Sequence, residues 1–357
     1  MEITVNQAPE DQRKQKPIDE SKLGFGEIVT DHMFKMEWTV DKGWHNARIE
    51  PYGPIPIDPA AMVLHYGQEV FEGLKAYRAR DEGIYLFRPR ENFKRLNQSA
   101  RRLVMPEVDA DLAMKALKEL ILLDRDWIPK NEGTSLYIRP NMIATEPHLG
   151  VRPANAYLFY IIIGPVGAYY KEGLNPVKIY VEDFFVRAAI GGTGEAKTAG
   201  NYAASLLAAE EAKKKGFTQV LWLDAAQRKY VEEVGTMNMF FLIDDELITA
   251  PLNGSILPGV TRDSVIRMVQ DWGVKITERS LAIDEVIAAA RDGSLKEAFG
   301  TGTAAVISPV GQITYKGEDL VVAGGRMGEL SRKLYDEIVA IQYRRKPDPY
   351  GWVERID

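Results

Sequence analysis

The chain has 357 residues, 45% of them hydrophobic and 27% charged, with a formal net charge of −6. That length suffices for two domains with cores of their own, and the acidic balance leaves no electrostatic footprint for nucleic acid. Cysteine is absent, which excludes disulfides, thiolate metal sites and a cysteine nucleophile. The longest apolar run, residues 156–166, is about half a membrane span. The N-terminal residues are polar and partly acidic, without an apolar segment, so neither a secretory signal nor an organelle leader is expected. The expected setting is the cytoplasm, with no membrane partner.

Taken in order, residues 1–22 are polar and irregular and are expected to form a mobile arm. Residues 28–38 partly alternate and predict a strand. A Pro-rich turn at 52–59 follows. Residues 61–67 read as a second strand, then come 71–77 and a short buried strand at 84–87. Pro89 opens a helix, where its missing N–H is harmless, and Phe93, Leu96, Ala100 and Leu103 mark its buried face. A second amphipathic helix covers 109–123. Strands are expected at 135–143 and 156–164, the latter apolar throughout and therefore mid-sheet.

Residues 171–176 read as a connector between a smaller domain, 1–170, and a larger one, 177–357. The second half opens with a strand at 177–181. A helix at 202–215 is stopped by Gly216. Strands are expected at 220–224, 237–243, 247–250 and 274–277, and helices after 258–261 and at 284–291. Residues 297–308 read as strand, tight turn, strand, and a last helix covers 324–340. Mixed strands and helices in both halves give an α/β (α+β) protein of two domains.

The stretch 191–202, G-G-T-G-E-A-K-T-A-G-N-Y, places Lys197 among small residues. Three readings are open. It approaches the G-x-x-x-x-G-K-T phosphate loop, with Asp224 as a magnesium-binding aspartate, but Ala196 replaces the second glycine and its Cβ hinders the backbone cradle. It also suits a solvated surface lysine. The third reading is a Schiff-base lysine for pyridoxal phosphate. That site requires an acid at the pyridine nitrogen, a group at the phenolic oxygen and a phosphate cup. Glu233, Tyr202, the helix start at Gly259-Val260-Thr261, the turn at Gly302-Thr303 and Arg95 are candidates for these parts. Each also has an ordinary structural use: Glu233 as a turn residue beside Glu232, Tyr202 as helix packing, Gly-Val-Thr as a cap, and Arg95 paired with Glu91.

Together with F-E-G-L-K-A at 71–76, S-L-Y-I-R-P at 135–140, G-P-V-G-A-Y at 164–169, G-N-Y at 200–202, E-V-G-T-M-N at 233–238 and L-P-G-V-T-R at 257–262, these residues carry a resemblance over nearly the whole chain. The sequence closely resembles the branched-chain aminotransferases of the class IV, D-amino-acid-transaminase-like group. The resemblance implies fold-type IV, pyridoxal 5′-phosphate, ping-pong transamination of leucine, isoleucine and valine with 2-oxoglutarate, and a homodimer acting on amino acids and 2-oxo acids. It implies Lys197 as Schiff-base lysine and proton shuttle, with Glu233 at the pyridine nitrogen and Tyr202 at the phenolic oxygen. Arg95, Val260, Thr261 and Thr303 are then the phosphate site, and Thr236 lies near the cofactor. Tyr66 with the backbone at Thr303 and Ala304 matches the substrate-carboxylate site. Phe25, Phe71, Tyr137 and Tyr169 match the side-chain pocket, Arg139 a residue handling the glutamate γ-carboxylate, and Leu149 and Val151 a loop given across a dimer interface. Some animal members carry a Cys-x-x-Cys pair where this chain has Ala305 and Ser308, so that thiol control is not available here. A D-amino-acid transaminase or an aminodeoxychorismate lyase is the nearest alternative of the same fold, and a nucleotide-binding protein the remote one.

Overall fold

The computed structural model describes residues 1–167 and 174–357. In chain order it forms β1 (Thr4–Val5), β2 (His32–Thr39), β3 (Gly43–Pro51), α1 (Met62–Tyr66), β4 (Glu69–Phe71), β5 (Leu74–Arg78), β6 (Ile84–Phe87), α2 (Pro89–Arg102), α3 (Ala110–Leu123), β7 (Ser135–Ala144) and β8 (Ala156–Val166). There follow β9 (Val177–Glu182), α4 (Ala199–Ala203), α5 (Leu206–Lys214), β10 (Gln219–Leu223), β11 (Val231–Val234), β12 (Met237–Ile243), β13 (Glu246–Thr249) and α6 (Val260–Asp271). The chain ends with β14 (Lys275–Glu278), α7 (Ile283–Asp292), β15 (Leu295–Gly302), β16 (Val306–Tyr315), β17 (Glu318–Val321), α8 (Glu329–Gln342) and β18 (Val353–Arg355). Two compact units result: Met1–Tyr169 with Ala196–Ala199 and Ala340–Asp357, and Tyr170–Glu195 with Gly200–Val339. The expected boundary left all of 177–357 in the second domain, whereas the Lys197 segment and the C-terminal segment group with the first. β18 supplies part of the reason, pairing antiparallel with β6 through Val353–Phe87 and Arg355–Tyr85.

The sheet of the first unit runs β1-β3-β2-β8-β7-β5-β6-β18, with β4 beside β7. β8 lies mid-sheet, as its apolar sequence predicts. Tyr157, Phe159, Ile161 and Ile163 face a core that also takes Phe93, Leu96 and Ala100 from α2 and Leu117, Leu120 and Ile121 from α3. Each large side chain so buried contributes roughly 1.5–3 kcal/mol. Asp109 caps α3 by accepting from the N–H groups of Asp111 (2.9 Å) and Leu112 (3.0 Å).

Two expectations fail in this unit. Residues 61–67 are not a strand: Met62–Tyr66 is a helix ended by Gly67 at φ 62°, whose N–H closes onto Val63 O. The apolar run buries Met62 but leaves Leu64 57% exposed, a one-sided burial that a short run does not reveal in sequence. Nor are residues 1–22 a detached arm. β1 pairs parallel with β3, Thr4 opposite Arg48 and Val5 opposite Ile49, and Ile3 and Ala8 are buried. Ala8 N–H donates to His32 Nε2 (2.8 Å), and Lys14 N–H to Asp31 Oδ1 (2.7 Å). His32 Nδ1 in turn meets Asp124 Oδ1 at 2.6 Å. Polar composition hid these anchors because they are backbone groups seeking buried side-chain acceptors.

In the second unit the sheet runs β11-β10-β9-β16-β15-β12-β13-β14, with β17 beside β16. β11 also pairs with β12, so six strands close into a ring. One side of it holds Ile179, Leu221, Leu223, Met239, Phe241 and Val286. Phe240 and its register partner Phe299 stack at 5.3 Å. The helix expected over 202–215 is broken: α4 stops at Ala203 and α5 starts at Leu206. Ser205 turns back on Tyr202, its N–H (3.1 Å) and Oγ (2.7 Å) both donating to Tyr202 O, a local competition that serine offers a helix. Among the described residues no helix is long and apolar enough to cross a membrane. The connector expected at 171–176 lies partly outside the described residues.

Candidate active site

In the first unit, α2 presents Asn92, Arg95 and Ser99 at spacings of three and four, one edge of the helix beside its apolar stripe. They meet the turn after β4. Glu72 there is fully buried. It accepts from Arg95 Nε (2.7 Å) and Nη2 (2.9 Å), Asn92 Nδ2 (2.8 Å) and Gly73 N–H (3.1 Å). Burial pushes this carboxyl up, but Arg95 beside it, with help from Lys197 and Asn92, holds it below its ordinary value. Arg95 therefore does not pair with Glu91, which meets Lys94 at 3.9 Å. Sequence reasoning missed Glu72; a lone acid inside a run of apolar residues was the available signal.

Ser99 Oγ accepts the N–H of Lys197 (2.9 Å), and Lys197 O accepts from Phe71 N–H (3.0 Å). Thr198 Oγ1 donates to Glu69 O (2.6 Å). The lysine's peptide is thus fixed as a rung against β4, while its Nζ lies 4.8 Å from the centre of the Phe71 ring. Ala196 and Thr198 on either side are buried. This is not a solvated loop charge, and a short α4 of Ala199–Ala203 follows it rather than the long helix of a phosphate loop. Asp224, the aspartate of that reading, is engaged by four backbone N–H groups, of Ala226, Gln227, Lys229 and Tyr230.

The pocket-wall candidates of the same unit converge. Phe25 packs edge-on to Tyr137 at 4.8 Å. Arg139 Nη2 donates to Tyr137 Oη (2.9 Å), and the guanidinium lies 4.7 Å from the Phe71 ring centre and 5.4 Å from that of Tyr137. Its Nε is buried without a hydrogen-bond partner, so the cation keeps a donor to offer. Gly73 permits the approach, since a Cβ there would stand 2.4 Å from Tyr137 Oη. Tyr66 Oη donates to Leu149 O (2.5 Å), in an outlying group where Leu149 is 66% and Val151 83% exposed. Tyr169 lies outside the described residues.

The second unit holds a small cleft lined by Arg187, Asn201, Tyr202, Ser205, Glu233 and Thr236, with Gly235 and Leu257. Tyr202 meets Glu233 and Thr236 there, although it lies some thirty residues before them in sequence. Glu233, buried on β11, accepts at Oε1 from Asn238 Nδ2 (2.8 Å) and Leu257 N–H (3.1 Å). Arg187 Nε lies 2.7 Å from Glu233 Oε2, an ion pair outside hydrogen-bonding angles, for the same Nε has no hydrogen-bond partner. Asn238 Nδ2 also donates to Leu257 O (2.9 Å), tying Glu233 to the loop that starts α6. Gly259, the N-cap of α6, fits only because it lacks a Cβ, which would stand 2.0 Å from Asn238 Oδ1. Val260 and Thr261 form the first turn of that helix, without a side-chain cap. Thr303 and Ala304 make the turn between β15 and β16, and Thr301, opposite Asn238, buries an Oγ1 with no partner. Sequence reasoning missed Arg187 and Asn238: the first stands in no motif, and the second's pairing with Glu233 depends on the β11–β12 register.

The donor set suits a flat, anionic, nitrogen-containing ring. It comprises a buried carboxylate held by two donors, a phenol at a cleft, and a helix start where only glycine fits, with orphaned polar atoms at Arg187 and Thr301. The two α/β units with these residues define an enzyme that works through a bound organic cofactor. Residues 69–313 match the family model Amino-transferase class IV. The chain is 57% identical over 344 residues to Branched-chain-amino-acid aminotransferase 2 of Bacillus subtilis, covering 96% of this chain and 94% of that one. It is 53% identical to Branched-chain-amino-acid transaminase 1 of the same organism, covering 96% of each. Among solved structures it is similar to the branched-chain amino acid aminotransferase of Escherichia coli, with a TM-score of 0.75 and 28% identity over 90% of this chain and 99% of that one. The chain belongs to the class IV aminotransferases, and within them to the branched-chain-amino-acid aminotransferases; it is a transaminase.

Proposed function

We propose that the chain transfers the amino group of L-leucine, L-isoleucine or L-valine to 2-oxoglutarate in a ping-pong cycle, with Lys197 as the reactive amine. The cofactor is the family's, pyridoxal 5′-phosphate. When bound, it supplies an aldehyde that takes up amino groups and a protonated ring that draws electrons from the substrate's Cα. Glu233 holds the proton at the ring nitrogen, and Tyr202 gives its hydroxyl to the phenolic oxygen. Val260, Thr261 and Thr303, with Arg95, hold the phosphate, and Thr236 adds a hydroxyl near the ring. Lys197 Nζ moves the proton to and from the substrate's Cα as general base and acid.

On the substrate side, Tyr66 and the backbone at Thr303 and Ala304 take the α-carboxylate. Phe25, Phe71, Tyr137 and Tyr169 form the apolar wall. One methylene more or less in such a pocket is worth about 1–3 kcal/mol, so the three branched donors are weakly discriminated. Arg139 supplies the polar end that glutamate requires, and its unpartnered Nε supports this. Leu149 and Val151, exposed apolar residues of one loop, support a homodimer in which that loop reaches the partner's site.

The observation that carries the reading is the fixed Lys197 peptide, held by Ser99 and Phe71 while its amine lies on the Phe71 ring. Lys197→Ala is expected to lose the visible absorption of the loaded enzyme and nearly all amino transfer. An active variant with an unchanged spectrum refutes the assignment. Assays with L-leucine and then D-alanine, each with 2-oxoglutarate, separate this function from a D-amino-acid transaminase.

A further inference from the structure

β11 carries two adjacent carboxylates, and strand alternation sends them to opposite faces. Glu233 lines the cleft and Glu232 is not among its lining residues. Glu232 is only 4% exposed. Its Oε1 lies 2.5 Å from Ser255 Oγ, and its Oε2 is buried with no hydrogen-bond partner. The Ser255 hydroxyl also lies 2.8 Å from Asn253 Oδ1, an oxygen already accepting the Ser255 N–H (3.1 Å).

A hydroxyl has one proton to give. With Glu232 ionised, its carboxylate and the Asn253 amide oxygen compete for that proton, and Oε2 carries charge away from any donor. With Glu232 protonated, Oε1–H donates to Ser255 Oγ and Ser255 O–H donates to Asn253 Oδ1. Every proton then has an acceptor, and the unpartnered Oε2 is a neutral carbonyl oxygen. The surroundings agree: burial pushes this carboxyl up, reinforced by Glu233 and Asp224 and opposed by Ser255 and Arg187. Ser255 is also a link to the cleft, since its carbonyl accepts from Arg187 Nη2 (2.5 Å), which further donates to Gly194 O (3.1 Å).

We propose that Glu232 keeps its proton, held toward Ser255, at a pH where an ordinary glutamate has lost it, and that it is a positioning residue, which through Ser255 sets Arg187 so that this one cation serves Glu233 alone. The catalytic consequence rests on the reading of Glu233 given above; the protonation state does not. Ionising Glu232 places two carboxylates on a single guanidinium and breaks the proton chain through Ser255. Because its folded pKa is raised, the stabilisation is complete below the ordinary value of 4.5 and is lost as pH rises through the folded value.

The test uses the full-length protein, cofactor-free and loaded, as wild type, Glu232→Gln, Glu232→Ala and Ser255→Ala. The infrared difference between cofactor-free wild type and Glu232→Gln is expected to show the C=O stretch of a protonated carboxyl above the ordinary 4.5, fading as pH rises further. Glu232→Gln, whose amide can still donate to Ser255, is expected to bind pyridoxal phosphate within about twofold of wild type. Glu232→Ala is expected to bind it roughly tenfold more weakly. Should Glu232→Gln not fold, the same stretch must shift upward in Ser255→Ala, where its acceptor is gone. Absence of the protonated stretch overturns the inference, and wild-type cofactor affinity in Glu232→Ala overturns its positioning part. Neither result touches the assignment of Lys197, which the amino-donor assays judge separately.

Discussion

A carboxylate sealed from water is tolerated only where donors saturate it, and Glu72 meets that condition with a two-pronged contact from Arg95 and further donors from Asn92 and Gly73. Glu72→Gln leaves the buried Arg95 without its counter-charge and is expected to cost about 3 kcal/mol, read from urea denaturation. The depressed Glu72 carboxyl also sets a pH direction. Its stabilisation is present above the ordinary 4.5 and is lost as pH falls through the lower folded value. Acid titration of Tm should therefore fall less steeply below that pH in Glu72→Gln than in wild type. Glu233→Gln tests the other carboxylate. It is expected to slow the half-reaction with leucine by far more than it weakens cofactor binding, measured by stopped-flow absorbance and by equilibrium titration. Equal losses in both would move the role elsewhere. The choice of Glu233 over Glu232 was legible in sequence only through the resemblance; the structure adds the physical ground, because alternation along β11 turns just one of them to the cleft.

At the scale of elements, the start of α6 is the part most exposed to a single substitution. Gly259→Ala drives a Cβ into Asn238 Oδ1, and Asn238 is the clamp on both Glu233 and Leu257. Overpacking of this kind costs about 1–3 kcal/mol. Thermal denaturation should show that loss, and cofactor titration should show weaker binding with it, because the helix start and the carboxylate move together. The helix itself was readable from Pro-Gly-Val-Thr and the following period. The break between α4 and α5 was not, since alanine-rich sequence favours continuing and only the turn of Ser205 onto Tyr202 O stops it. The misread strand at 61–67 has a similar cause: five residues of helix bury too little to leave a period.

For the whole molecule, the decisive surprise is how far chain order and grouping diverge. Residues 1–22 look unstructured by composition, yet their first half adds β1 to the sheet and supplies Ala8 N–H to the buried His32. Deleting residues 1–9 removes buried Ile3 and Ala8 and is expected to cost about 2–3 kcal/mol, seen as a lower urea midpoint. An unchanged midpoint would mean that the docked strand adds nothing to stability. The Lys197 segment likewise belongs with the first unit although it lies within the second half of the sequence. The reason is that the Lys197 N–H donates to Ser99 Oγ and the Lys197 carbonyl accepts from Phe71 N–H.

The sequence by itself determined the mixed α/β class, most long strands and helices, and the candidate residues, because hydrophobic period, glycine and proline placement and motif order are local properties. Only the tertiary structure decided which partners those residues take. Arg95 meets Glu72, Glu233 meets Asn238 and Arg187, and Lys197 is held by β4 and α2. Such pairings depend on strand register and on backbone groups that present the same N–H and C=O whatever the side chain. They become visible only once the chain has closed its sheets.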